Sequence, residues 1–435
     1  MSQESTTIPH WYQPDSDILQ IERGEGPRVY DADGNAYLDF ISQLYCCNAG
    51  FANEAITDAM AEQMAKMPYI SPKYHTSKRL ELASKLIEVS PEAITDVYFA
   101  ISGSEANEAA VQFAREYTDA PKVLTRWRSY HGWTYGAGSL TGDPSTRAVV
   151  ETHASTSGAV KFLPPMTYRS PFDGETPEEI ADQAADHLEF VIRNEDPDSI
   201  AAILMEPVAG AAGGWPAPPG YFERVRELCD QYDILMISDE VITGFGRTGE
   251  WFGIQTEGVQ PDLLTFAKAV TSAYVPLAGV MMNDDVSEFL RSEGIGVGQT
   301  FGGHATACAG GVAAMEQYEN GLIDNVNALA PVLEEGLQNI ADRHDAVGDV
   351  RGRGFLWGVE FTDPATGEPF FDPYAKEEGH NPVADVVTEA RERGVIVGKG
   401  RPLIHLNLAP PFVVDEADIE EALDAFDAAI GAVFG

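Results

Sequence analysis

PDLLTFAKAVTSAYVPLAGV, residues 261–280, sets a single lysine inside an apolar run. The chain has nine lysines, and Lys268 is the only one between Lys161 and Lys376. Before it, LLTF reads as a buried strand; after it come small and apolar residues. Burying an ammonium without a partner is costly and drives its pKa down toward the neutral amine. Working outward, short β-branched runs alternate with helical stretches, the α/β pattern. DVYFAIS (96–102), KVLTRW (122–127), AAILMEPV (201–208), ILMISDEV (234–241) and DLLTFA (262–267) read as strands. SEANEAAVQFAREYT (104–118) and GYFERVRELCDQYD (220–233) read as helices. Strands apolar throughout their length predict a large, mostly parallel sheet with helices on both faces.

The pattern changes after about residue 320. HDAVGDVRGRGFLWGVEF (344–361) reads as a turn and paired strands, with helices expected at 382–393 and 415–430. RVYDADGNAYLDF (28–40) reads as a hairpin around DADG. Together these predict a smaller α+β domain built from both termini. The division expected is 1–66 for the N-terminal part of the small domain, 67–319 for the large domain and 320–435 for the C-terminal part. A length of 435 residues also favours two domains over one core. GRGFLWG contains a G-x-G but follows no βα turn, so it carries no nucleotide expectation.

Sixty-nine acidic against 28 basic residues give a net charge of −41. That sign excludes nucleic acid as a partner. The acids spread along helical segments such as 176–198 and 414–430 rather than forming a tail. Such a surface repels itself in dilute buffer and is screened in concentrated salt, so a salt-rich cytoplasm of a halophile is the economical reading, an acidic mesophile the alternative. No apolar run reaches the roughly 18 residues that span a bilayer. The first residues show neither a basic nor an apolar leader region, and a cytoplasmic protein without a membrane partner is expected. Cys46, Cys47, Cys229 and Cys308 fit neither a disulfide framework nor metal spacing, and no metal is expected. The adjacent Cys46 and Cys47 read as buried small hydrophobes, with a redox pair as the alternative.

Four features bear on chemistry, and each has a plain structural alternative. In ISGSEANEAA (101–110), the N–H groups of Gly103 and Ser104 at a helix start would cradle a phosphate, or Ser104 is simply an N-cap. In ILMISDEVITGFGRTG (234–249), Asp239 ends an apolar strand, where open α/β sheets bind ligands; it wants a cation, or it caps a helix or joins an ion pair. In SYHGWT (129–134), Tyr130 could stack on a flat ring or belong to the core. Lys268, 29 residues after Asp239, is either a desolvated nucleophilic amine or a snorkelling surface lysine. Taken together they describe one ligand with a phosphate, a flat ring, a basic ring nitrogen and an aldehyde. That ligand is pyridoxal 5′-phosphate, whose sites pair a Schiff-base lysine with an acidic partner for the pyridinium.

SGSEANE, YHGWT, EPVAG, SDEVITGFGRTG, PDLLTFAKAVTS and QTFGGHATACA occur in the order and at the spacing of the class III aminotransferases. The chain resembles that family, of fold type I among pyridoxal phosphate enzymes, over nearly its whole length. The resemblance implies a homodimer with both active sites at the subunit interface, a tetramer being the alternative. It implies that Gly103 and Ser104 hold the phosphate, Tyr130 stacks on the ring and Val241 packs on its other face. Asp239 would bind the ring nitrogen, Lys268 would anchor the cofactor and carry the proton, and Thr300 would reach the neighbouring subunit's phosphate. In the 4-aminobutyrate and ornithine branch, EPxQG precedes a glutamate that pairs with a substrate-binding arginine. Here that glutamate's place holds Ala211, and the arginine's place is expected at Leu406. Arg401 instead occupies the position of the mobile arginine of ω-amino acid and amine:pyruvate transaminases. QLYCCNAG (43–50) is similar to that branch's LWCVN, with Tyr45 where tryptophan is usual. The expected activity is ping-pong transfer of an amino group from an ω-amino acid or amine to pyruvate or a similar keto acid. The alternatives are an aminomutase or dialkylglycine decarboxylase of the same family, or a binding module that has kept the fold.

Overall fold

A computed structural model describes residues 7–11, 18–151, 158–372 and 379–435. A seven-stranded sheet runs through the larger part in the order Ile94–Ala100, Ala278–Asn283, Leu263–Phe266, Leu235–Asp239, Ile200–Met205, Lys122–Arg126, Ala159–Phe162. Six strands point one way and Ala278–Asn283 runs against both of its neighbours. The sheet is thus mixed, with one inverted strand inside an otherwise parallel array. AGVMMN gives no sequence cue to its direction, because a buried run looks alike either way. The expected 201–208 strand breaks in two around Glu206 and Pro207, into Ile200–Met205 and Val208–Ala209. Proline has no N–H for the ladder.

Alternate residues of the central strands feed opposite faces. Ile203, Met205, Met236, Leu264 and Phe266 face one core. Ala202, Leu204, Leu235, Ile237 and Leu263 face another. Helix Gly103–Thr118 covers the second face with Ala106, Ala110 and Phe113. Helices Pro177–Asn194, Tyr221–Tyr232 and Ala305–Gln317 cover the first. Each fully buried Leu, Ile or Phe contributes roughly 1.5–3 kcal/mol, so burial on both faces explains strands without polar alternation.

Both ends of the chain build the smaller part. Ile21–Glu25, Arg28–Asp31 and Ala36–Asp39 form a meander, which Val395–Ile396 joins in parallel. A second sheet holds the hairpin Val347–Arg353 and Leu356–Phe361, then His405–Leu408 and Gly398–Lys399. Helices Pro382–Glu392 and Glu416–Phe434 pack beside them.

The GFGRTG turn ties the parts together through Arg247, whose guanidinium is fully buried. It donates to Phe355 O at 3.1 Å, Pro410 O at 2.6 Å and Ser42 Oγ at 3.1 Å, and to Asn48 Oδ1. Hydrogen bonds from a charged donor contribute roughly 1.5–3 kcal/mol each, and losing the donor orphans buried acceptors. The N-terminal segment, the C-terminal segment and the large sheet therefore share one cation. Among the described residues no helix is long and apolar enough to cross a membrane.

Candidate active site

The C-terminal edge of the parallel strands carries the polar residues. Asp239 ends its strand buried, with 2% of its surface exposed. Its Oδ2 lies 2.7 Å from His131 Nδ1 and accepts from Asn107 Nδ2 at 2.8 Å, while Oδ1 accepts from Val241 N at 3.0 Å. Asn107 in turn donates to His131 O at 2.8 Å and accepts from Thr265 Oγ1 at 2.8 Å. Burial alone would push the Asp239 carboxyl up, but His131, Val241 and Asn107 outweigh it and hold its pKa below the usual value. Asp239 is an anion in the interior, and Oδ1 still has capacity for a further donor.

Lys268 follows the neighbouring strand, whose Thr265 pairs in register with Asp239. It begins a short 3-10 turn with φ +49°. Desolvation pulls its pKa down against the opposing pull of Cys46, Asp239 and Glu206. Its Nζ lies 5.9 Å from the centre of the Tyr45 ring. Its carbonyl accepts from Ala273 N at 3.2 Å, while among the described residues Nζ makes no hydrogen bond or ion pair.

Ser102, not Ser104, caps helix Gly103–Thr118, accepting from Glu105 N at 3.3 Å. The N–H groups of Gly103 and Ser104 fall in the first turn, without intrahelical acceptors. A Cβ on Gly103 would sit 3.0 Å from Val241 Cγ1, so Val241 packs directly over the helix start. Gly132, at φ +130°, brings its backbone against Ser104 Oγ, where any side chain would clash.

Tyr130 donates its N–H to Glu206 Oε1 at 3.2 Å. Glu206 is buried with Arg126, whose Nη2 stands 3.4 Å from Oε2. Arg401 Cζ lies 5.9 Å from the Tyr130 ring centre and 4.8 Å from that of Trp11. Tyr45 is buried, its hydroxyl accepting from Asn407 Nδ2 at 2.6 Å, and burial pushes its pKa up to about 12. The backbone of Ala211 lies near the buried His405 ring, whose pKa burial pulls well below the usual value.

Leu406, the expected place of the relatives' arginine, points into the apolar core. In strand His405–Leu408 successive side chains alternate, so His405 and Asn407 share the other face, and Asn407 meets Tyr45. Thr300 is exposed, its carbonyl accepting from Tyr69 Oη at 3.0 Å. No hydrogen bond or ring contact among the described residues joins it to the rest of the constellation.

The residues present fit pyridoxal phosphate. A helix start with free N–H groups, an anionic carboxylate with unused acceptor capacity and a desolvated amine gather at one sheet edge. Residues 11–430 match the family model described as aminotransferase class-III. The chain belongs to the class III aminotransferase family. It is 34% identical over 437 residues to gamma-aminobutyrate transaminase 1, mitochondrial, of Oryza sativa subsp. indica, covering 97% of this chain and 83% of that protein. It is 33% identical to diaminobutyrate–2-oxoglutarate transaminase of Halomonas elongata, covering 99% and 93%. The structure of taurine:2-oxoglutarate aminotransferase from Bifidobacterium kashiwanohense, in complex with PLP and glutamate, superposes with a TM-score of 0.93 at 34% identity, covering 98% and 95%. Class III aminotransferases use pyridoxal phosphate, and this chain is an enzyme of that family, of fold type I.

Sequence reading missed several residues that the structure brings to Asp239 and Lys268. Asn107 sits inside SEANE as an ordinary helix residue, one turn after the glycine that drew attention. His131 follows Tyr130 directly, and its neighbour hid it. Cys46, expected buried, is partly exposed; its neighbour Cys47 and Lys268 pull its thiol below the usual range. Asp239→Asn keeps the shape of the network but removes its charge. Removing a preorganised electrostatic partner of the reacting group typically costs about 10²- to 10³-fold in rate, so transamination should fall by about that factor. Single-turnover rates on cofactor-saturated variant, with near-UV circular dichroism to confirm folding, check this; a loss under tenfold would remove Asp239 from its role.

Proposed function

We propose that this aminotransferase moves an amino group from an ω-amino acid or an uncarboxylated amine to pyruvate or a similar keto acid. The observation that carries this reading is Arg401. It stands over Tyr130, and among the described residues no carboxylate pairs with it. Ala211 supplies no acid in the place where the 4-aminobutyrate branch has glutamate. A guanidinium held by ring faces keeps its fork of donors for a substrate carboxylate and can swing away from an apolar amine.

When bound, pyridoxal phosphate supplies an aldehyde that exchanges amines and a ring that draws electrons from the carbon bearing the amino group. Gly103 and Ser104 offer their N–H groups to the phosphate at the positive end of their helix. Tyr130 and Val241 flank the ring. Asp239, kept anionic by His131 and Asn107, holds the proton on the ring nitrogen. Lys268, desolvated and hence a competent base, would hold the cofactor's aldehyde and, once released by substrate, carry the proton that leaves the substrate carbon. Tyr45, fixed by Asn407, walls the pocket beside Nζ and sets its size.

Two chains pair in this reading, with Thr300 reaching the partner's phosphate site. Exposed Leu44, Met64, Tyr69, Trp133, Tyr135 and Phe301 supply apolar surface for that contact.

Arg401→Ala should weaken pyruvate and alanine about tenfold to a hundredfold, the value of a charge-assisted contact of roughly 1.5–3 kcal/mol. An uncarboxylated amine should be nearly unaffected in its half-reaction. Stopped-flow measurement of the two half-reactions separates these, and equal losses would mean that Arg401 holds structure alone.

The charge of −41 motivates a second expectation. Activity and melting temperature should rise from 0.1 to about 2 M KCl, because the Debye length falls to about 3 Å at 1 M. Light scattering at low salt should show dissociation in step with lost activity. A melting temperature flat across that range contradicts the salt-adapted reading.

A further inference from the structure

Arg401 has a second aromatic neighbour that no part of the proposed chemistry uses. Trp11 comes from the other end of the chain, and its ring centre lies 4.8 Å from Arg401 Cζ, nearer than the Tyr130 ring at 5.9 Å. Trp11 is 57% exposed, so hydrophobic burial does not by itself account for its place. Arg401 is also placed toward the pocket, since its charge is felt at the hydroxyls of both Tyr45 and Tyr130. In a chain with 69 acidic residues, none of those described pairs with it. Its restraint comes from π faces.

We infer that Trp11 is a positioning residue for Arg401: its ring holds the guanidinium turned toward the pocket, ready for a substrate carboxylate. The inference rests on the reading of Arg401 given above. An aromatic face suits the task better than an acid. An aspartate or glutamate would occupy the donor fork and neutralise the charge that the substrate must meet. A ring attracts the cation through its quadrupole and leaves the in-plane N–H groups free. The attraction at an exposed site is also weak enough to release the side chain when an apolar amine arrives. Trp11 thereby sets how readily one pocket alternates between a carboxylated and an uncarboxylated substrate.

The test is a double-mutant cycle read in the two half-reactions. Trp11→Ala should lower kcat/KM for pyruvate by about two- to fivefold, the range of an exposed cation–π contact. It should leave an uncarboxylated amine donor unchanged. Trp11→Phe should restore most of the pyruvate rate, and thermal melting should match the parent, since the ring is exposed. In an Arg401→Ala background, Trp11→Ala should have no further effect. Equal losses for both substrate classes, or the same loss with and without Arg401, overturn the inference while leaving the role of Arg401 intact. If Arg401→Ala itself fails to discriminate between substrates, the underlying reading fails, and the Trp11 inference with it.

Discussion

A carboxylate with no arginine or lysine at hydrogen-bond distance among the described residues, 2% exposed at the end of a central strand, is the constraint around which the large sheet is arranged. Leaving a buried charge unsatisfied costs several kcal/mol, so Asp239 can exist only if separate elements deliver donors to it. Helix Gly103–Thr118 delivers Asn107, the loop after strand Lys122–Arg126 delivers His131, and Val241 closes the strand end. Thr265, from the adjacent strand, fixes the other end of the Asn107 amide and so its orientation. The apolar faces of the sheet hold these elements in register. The polar edge gains its geometry from that packing, and a shift of any one layer would leave a charge or an amide unpaired.

The same edge sets the character of Lys268. Desolvation favours the neutral amine, while Asp239, Glu206 and Cys46 favour the ammonium. Burial wins, which suits a residue proposed to shuttle a proton. The smaller part of the molecule is joined to this edge through another buried cation, Arg247, which gathers Ser42, Asn48, Phe355 and Pro410. Tyr45 stands between Ser42 and Asn48, and Arg401 and Asn407 shortly precede Pro410. Arg247 therefore helps place the residues proposed to read the substrate relative to those proposed to hold the cofactor.

The α/β architecture was legible because its strands are apolar on both faces and its helices are not. Asp239, Lys268, Gly103 and Tyr130 were legible because each breaks its local pattern: an acid or a base ending an apolar strand, a glycine at a strand-to-helix turn, an aromatic after a strand. The direction of Ala278–Asn283 was not legible, since burial erases the difference between parallel and antiparallel runs. Asn107 and His131 were not either, because a polar residue in a helix or loop looks ordinary until a distant carboxylate is brought to it. Along strand His405–Leu408 a step of one residue exchanges the core face for the opposite one, and only the fold shows that Leu406 faces the core and Asn407 faces Tyr45. Trp11 met Arg401 across the length of the chain, which no local pattern encodes.

The central proposal is that Lys268 forms the covalent link to pyridoxal phosphate at this edge. Borohydride reduction of the cofactor-loaded protein, followed by proteolysis and peptide mass spectrometry, tests it directly. The expected result is one phosphopyridoxyl group per chain, on Lys268, with loss of the visible absorbance of the lysine–cofactor imine. Label on another lysine, or reversible binding with no label at all, would contradict it.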